Sequence, residues 1–228
     1  RKSAKHLIIG GGIIGCSIAY HLAKNGERDI VLLERANLTE GATWHAAGLV
    51  GQLRSSRNTT RMLKKSVEMY DKLQNEEGFQ FDWKKTGSLR LASSRERLLE
   101  AKRLATMARS FDLEMLIISS QEAKELFPLI EENGLHGAAF IPSDGYVDPS
   151  ALCSAIANAA RKYGAQINQN IAVLDFITTD RRIKKVKTSN CVYEVENVIL
   201  AAGMWSRELG AKLGIKVPSC AVEHQYII

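Results

Sequence analysis

The stretch from His6 to Glu34, HLIIGGGIIGCSIAYHLAKNGERDIVLLE, constrains the fold more than any other part of the chain. His6-Leu7-Ile8-Ile9 is mostly apolar and branched, which suits a short strand buried on both faces of a parallel sheet. Three glycines follow at once. Gly10 permits a tight turn, Gly12 lets the backbone approach a pyrophosphate with no Cβ in the way, and Gly15 lets the next helix lie close on its strand. A helix is predicted over 13–24, closed by Asn25-Gly26, and Asp29 to Leu33 reads as the second strand. It ends at Glu34, about twenty residues past the glycines, where an acid suits a ribose hydroxyl and disfavours a 2′-phosphate. The N-terminus of the predicted helix offers unpaired N–H groups and a positive dipole end, so it can hold a diphosphate without a basic side chain. An adenine dinucleotide is the expected ligand.

A competing reading takes Arg1, Lys2 and Lys5 ahead of an apolar run, with Ile13-Ile14-Gly15-Cys16 as a lipoprotein-like cleavage box, for an export signal. Tyr20, His21 and Lys24 would interrupt such a segment. The strand–glycine–helix–strand–Glu34 series would also have no purpose in it, so the stretch is read as fold.

With 45% apolar residues in 228, the chain can bury a sizeable core in one to two domains. The excess of six positive charges suits a carboxylate substrate or an acidic partner. Basic residues are scattered rather than clustered with aromatics, so Arg95–Arg103 reads as a solvated helix face and nucleic acid is not an expected partner. Cys16, Cys153, Cys191 and Cys220 form no C-x-x-C pair, which argues against a zinc site or a disulfide frame and for a reducing compartment. Cys16 and Cys153 read as small apolar packing residues in helices. No apolar run reaches the ~20 residues that cross a bilayer, so no membrane partner is expected. The expected location is cytoplasmic, with the mitochondrial matrix as the alternative.

Past Glu34, Gly41-Ala42-Thr43-Trp44-His45-Ala46-Ala47-Gly48-Leu49 surrounds one aromatic and one imidazole with small residues. Such a loop can lie flat against a ligand while aiming a single side chain, with Trp44 as a shield. Taken alone, His45 would more often be a hydrogen-bonded structural histidine.

Together, GGGIIG…LLER at 10–35 and GATWHAAG at 41–48 resemble the flavoprotein half of the dimethylglycine dehydrogenase and sarcosine dehydrogenase family, within the wider D-amino acid oxidase fold. The resemblance implies an α/β fold: a Rossmann-like FAD-binding domain with an inserted mixed-sheet α+β substrate domain. His45 matches the histidine that carries FAD through a covalent bond to the flavin 8α-methyl group. Ile13, Ile14, Glu34, Arg35, Ala42, Thr43, Trp44 and Leu49 are implied to line the FAD site beside Gly10, Gly12 and Gly15, mostly through backbone atoms. A related regulatory branch lacks the histidine, so its presence favours an active dehydrogenase.

Further along, apolar spacing predicts a helix over 59–77 and Ser88–Ala92 a strand of a different sheet. Ser94 caps a helix over 95–109, Asp112–Ile118 reads as a strand, and Ser119 with Glu122 makes a capping box halted before Pro128. Gly137–Ile141 is a predicted strand before the turn Pro142–Gly145. Asp148-Pro149 starts a helix running to Tyr163, with Gly164 as its stop. One strand is predicted over 166–176, a hairpin turn at Arg181-Arg182, another turn at Asn190 and a strand over 193–200. Domain bounds follow: 1–78 with 145–212 as the FAD-binding domain, and 79–144 with 213–228 as an incomplete substrate domain.

The resemblance adds three residues. Val173 is implied to hydrogen-bond the adenine edge through its backbone, Gly203 to belong to a second nucleotide-contacting loop, and His224, on a predicted strand over 217–228, to be the catalytic histidine. The resemblance also implies a further catalytic segment and a tetrahydrofolate-binding portion, neither within these 228 residues, so the chain reads as truncated at its C-terminus.

The implied reaction is oxidation of an N-methyl amino acid of the sarcosine or dimethylglycine type, a small-molecule substrate. Hydride passes to the flavin to give an iminium, and an electron-transferring flavoprotein or oxygen accepts the electrons. His224, near neutrality, would take the ammonium proton. The rivals are a non-catalytic nucleotide-binding regulatory subunit of the same fold and an NAD-dependent reductase.

Overall fold

The computed structural model describes residues 2–225. In chain order, the first elements are β1 (Lys2–Ile9), α1 (Ile13–Lys24), β2 (Ile30–Leu33), β3 (Leu49–Val50) and α2 (Arg57–Asp71), the last running into a π-helical turn, Lys72–Glu76. Then come β4 (Ser88–Ala92), α3 (Arg95–Ser110), β5 (Leu116–Ile118), α4 (Ser120–Leu126), β6 (Gly137–Ile141), β7 (Gly145–Tyr146) and α5 (Pro149–Lys162). Last are β8 (Gln166–Asn168), β9 (Val173–Thr179), β10 (Arg182–Thr188), β11 (Val192–Leu200), a 3₁₀ turn at Gly203–Trp205 and α6 (Ser206–Ala211). The chain divides into two compact units, Arg1–Ala47 with Pro149–Ile228, and Gly48–Asp148.

The first unit is built on a six-stranded sheet in the order β8-β2-β1-β11-β10-β9. β1 is central, parallel to both β2 and β11, and Leu7, Ile8 and Ile9 are buried as an apolar strand covered on both faces should be. It is longer than the four residues expected because β11 pairs with it back to Lys2. Asp180 and Arg181, both at positive φ, turn β9 into β10, as a tight hairpin requires. Helix α1 packs against α5 through the small buried residues Cys16, Ala19 and Ala23 and Cys153, Ala157 and Ala160.

Two expectations for this unit are corrected. The single strand over 166–176 is two strands on opposite edges of the sheet, because Asn170 at φ +59° breaks the extended run between them. The strand over 217–228 is absent from its described part: 217–225 is irregular and exposed from Pro218 on, since no strand among the described residues offers it a ladder. Tyr226–Ile228 lie outside the described residues.

In the second unit, β3 pairs with β7 and a three-stranded antiparallel sheet runs β4-β6-β5. Ala101, Ala105 and Ala108 of α3 meet Leu53, Leu113, Met115, Ala139 and Ile141 in its core. The capping box at Ser119 and Glu122 forms as expected. Asp144 is buried, with its carboxylate accepting from the Gln52 backbone N–H (3.0 Å), the Gln52 amide (3.0 Å) and the Ser88 hydroxyl (2.6 Å). A buried carboxylate is tolerable only when so satisfied.

The compact units do not divide where the sequence placed the domain bounds. Residues 48–78 go with the second unit because the Trp83 indole donates to Asp71 (2.9 Å), Gln74 bonds both backbone groups of Trp83, and the Lys64 ammonium reaches the Phe111 carbonyl (3.1 Å). Residues 213–225 go with the first, where the Ile215 N–H donates to the Gly210 carbonyl (3.0 Å). Among the described residues no helix is long and apolar enough to cross a membrane.

The close approach of α1 to β1 gives a direct test. A Cβ on Gly15 would stand 1.9 Å from the Gly10 carbonyl oxygen, a backbone atom that cannot step aside. Gly15→Ala should therefore lower unfolding free energy by about 1–3 kcal/mol, read as a reduced urea midpoint at unchanged slope.

Candidate dinucleotide site

The site begins where β1 ends. Gly10 adopts φ +115°, and a Cβ there would lie 2.3 Å from the Ala201 carbonyl oxygen, so both backbone shape and space demand glycine. Gly11, which the sequence reading passed over, is buried and fixed from both ends. Its N–H donates to Glu34 Oε2 (2.7 Å), and its carbonyl accepts from the Thr39 N–H (3.2 Å) and faces the Cys16 and Cys153 thiols at 3.6 and 3.8 Å. A Cβ on Gly11 would meet Leu38 Cδ2 at 2.6 Å. The hydrogen bond to Cys153 and burial both push the Cys16 thiol far up, so it stays protonated and able to donate. The signal available in the sequence was the unbroken run of three glycines with a cysteine five residues past the middle one.

At the N-terminus of α1 the cap is Gly12, with no side-chain hydrogen bond and no acid in the first turn. The Ile13 N–H donates to Thr43 Oγ1 (3.1 Å) and the Cys16 N–H to the Gly12 carbonyl (3.0 Å). The Ile14 and Gly15 N–H groups meet no acceptor among the described residues. Two free donors, a positive dipole end and a glycine cap fit a diphosphate. Glu34 uses one lone pair of each carboxylate oxygen on backbone, Oε2 on Gly11 and Oε1 on Ala36 (3.0 Å), which leaves others for a ribose hydroxyl.

The loop after β2 returns to this cradle through Thr43. Two turns shape it, with Trp44 N–H on the Thr39 carbonyl (3.3 Å) and Ala46 N–H on the Thr43 carbonyl (3.2 Å). Ala42, Trp44 and His45 are exposed, and the rings of the last two lie 3.9 Å apart at 36°. Segment 169–173 is tied to the end of β2 by Ile171 N–H on the Glu34 carbonyl (2.8 Å), Asn170 N–H on the Ala36 carbonyl (3.0 Å) and Leu38 N–H on Gln169 Oε1 (2.7 Å). Val173, first residue of β9, lies two residues past that anchor. Gly203 is exposed at φ +53° in the turn after β11. The Arg35 guanidinium lies 3.9 Å from the centre of the Trp205 ring, a partnership the sequence did not signal.

Two predicted site residues remain. Leu49 belongs to the second unit, in β3, and is exposed. His224 is exposed in the irregular segment, with Nδ1 3.1 Å from the Gln225 carbonyl oxygen.

The glycine cradle, the acid at the end of β2 and the parallel strand order define a dinucleotide-binding α/β fold. The chain belongs to the FAD dependent oxidoreductase family (DAO), which matches residues 5–228. It is 38% identical to mitochondrial sarcosine dehydrogenase of Mus musculus and 37% identical to mitochondrial dimethylglycine dehydrogenase of Rattus norvegicus, each over 100% of this chain. Those matches cover 25% and 27% of the relatives, so the chain spans about a quarter of their length. A mitochondrial pyruvate dehydrogenase phosphatase regulatory subunit of Mus musculus is 35% identical over 99% of this chain and 26% of its own. Among solved structures, L-proline dehydrogenase from P. horikoshii superposes with a TM-score of 0.88 at 32% identity, covering 94% of this chain and 57% of that one.

Glu34 is the most testable member of the cluster. Glu34→Ala strands the Gly11 and Ala36 N–H groups and should lower unfolding free energy by about 1–3 kcal/mol. Glu34→Gln, which keeps one acceptor, should lose roughly half as much, both read by chemical denaturation.

Proposed function

We propose that this chain is the FAD-holding portion of an enzyme that oxidatively demethylates an N-methyl amino acid of the sarcosine or dimethylglycine type, with the flavin attached through His45. One observation carries the proposal. The Thr43 hydroxyl accepts the first N–H of α1, which ties the loop carrying the exposed His45, two residues on, to the start of that helix. Similarity to the two dehydrogenases over the whole chain supports the substrate class. Because the chain spans about a quarter of those relatives, substrate and partners of the whole protein belong to this proposal.

Bound FAD would supply a two-electron acceptor that no side chain offers. The protein's own part is to bind and orient. Ile14 and Gly15 N–H groups would hold the diphosphate, Glu34 the ribose, the Val173 backbone the adenine edge, and the turn at Gly203 would close the far side of the cradle. Gly10, Gly12 and Ala42 would leave room for the cofactor, while Ile13 and Trp44 would supply apolar wall.

A protonated amine has no lone pair to assist hydride loss, so a base must remove its proton. His224 is the candidate: with Nδ1 donating to the Gln225 carbonyl, Nε2 carries the free lone pair. Electrons would leave to an electron-transferring flavoprotein or to oxygen. A tetrahydrofolate-binding portion would lie outside these residues. The relatives' mitochondrial names favour the matrix over the cytoplasm.

The second reading, a regulatory subunit, has the similarity to the phosphatase subunit in its favour. The family match supports FAD over NAD and so weighs against a reductase.

Two measurements on the full-length gene product test the proposal. Acid-precipitated protein should stay yellow, while His45→Ala should release its flavin to the supernatant; release from both would reject the covalent link. His224→Gln should slow flavin reduction about 100-fold or more. An unchanged rate of flavin reduction would reject the role.

A further inference from the structure

Helices α1 and α5 meet along small buried side chains, Cys16, Ala19 and Ala23 on one and Cys153, Ala157 and Ala160 on the other, so their backbones come close together. Cys16 and Cys153 are fully buried, and both are free thiols. Their sulfurs converge on one atom: the Gly11 carbonyl oxygen lies 3.6 Å from Cys16 Sγ and 3.8 Å from Cys153 Sγ. They also hydrogen-bond each other. Two thiols in mutual contact on closely packed backbones meet the first demand of an S–S bridge.

The two sulfurs are not equivalent. The bond to Cys153 and burial push the Cys16 thiol far up, whereas the S–H that Cys16 donates holds the Cys153 thiol below its ordinary value against its own burial. Cys153 is therefore the sulfur that ionises and attacks, and Cys16 the one that resolves.

We infer that Cys16 and Cys153 form a reversible dithiol–disulfide pair, which a hydroperoxide closes into a bridge between α1 and α5 beside the glycine loop. The Cys153 thiolate attacks one peroxide oxygen, the O–O bond breaks, and the hydroxide released takes up the proton that Cys153 gave away, leaving a sulfenic acid. The Cys16 sulfur then attacks the sulfenic sulfur, the S–O bond breaks, and the departing hydroxide takes the Cys16 proton. In sum, two thiols and one hydrogen peroxide give one disulfide and two waters, with both electrons passing from sulfur to the peroxide. A small dithiol reverses the step, and in a reducing compartment the pair rests as the dithiol. Closure withdraws both S–H donors from the Gly11 carbonyl and locks α1, whose first turn belongs to the cradle, to α5. Because both sulfurs are buried, the oxidant reaches them during local opening, and they close more slowly than the exposed Cys220 oxidises. None of this depends on the flavin reading.

The test is peptide mapping of the full-length gene product after hydrogen peroxide, acid quench, alkylation and trypsin. Cys16 lies in the tryptic peptide 6–24 and Cys153 in 125–161, each with no other cysteine. The expected product is a linked peptide about 2 Da lighter than the two free peptides together, returned by dithiothreitol to two peptides that alkylate. In Cys16→Ser, dimedone should label the sulfenic acid of Cys153; in Cys153→Ser, Cys16 should remain a free thiol. Recovery of both peptides alkylated and unlinked after Cys220 has been fully oxidised overturns the pair, as does sulfinic acid at either position with no linked peptide. The mapping of the unsubstituted protein decides the matter even where a serine variant fails to fold.

Discussion

The peptide group of Gly11 is the constraint on which the first unit depends. Its N–H is bound by a carboxylate from the end of β2, and its carbonyl takes the Thr39 N–H and faces a thiol from each of α1 and α5. One buried residue thus connects the central strand, the second strand, the following loop and both packed helices. A buried N–H without an acceptor would cost a few kcal/mol, and a carboxylate acceptor is worth more than a neutral one. Glu34 therefore serves the fold directly, through the Gly11 and Ala36 N–H groups.

From that anchor the site assembles with little further specification. With the glycine loop held, α1 starts at Ile13 behind a cap, Gly12, that carries no side chain of its own to cover the first N–H groups. Thr43 then spends its hydroxyl on the Ile13 N–H, which binds the histidine loop to the helix start. The Ile14 and Gly15 donors stay clear of that bond.

Much of this was legible in the sequence because it is local. Helix α1 begins and ends where the glycine spacing and Asn25 place it, and the capping box of α4 and the glycine stop of α5 follow their signals. What failed depended on distant partners. Residues 166–176 look like one strand, but Asn170 adopts a left-handed turn that sends β8 and β9 to opposite edges. His224 was expected on a strand, yet its segment finds no ladder among the described residues. Gly11 was missed because its demand for space comes from Leu38 and Glu34, more than twenty residues away, and the Arg35–Trp205 contact because 170 positions separate its members. Residues 48–78 group with the second unit through bonds from Gln74 and Asp71 to Trp83, which no periodicity announces.

The central claim is that this backbone cradle presents flavin to the loop bearing His45. The visible absorption spectrum of the purified full-length gene product tests it most directly, recorded before and after anaerobic addition of sarcosine or dimethylglycine. The account predicts flavin bands that travel with the protein and bleach when substrate is added. A colourless protein that takes up no FAD on incubation would contradict it.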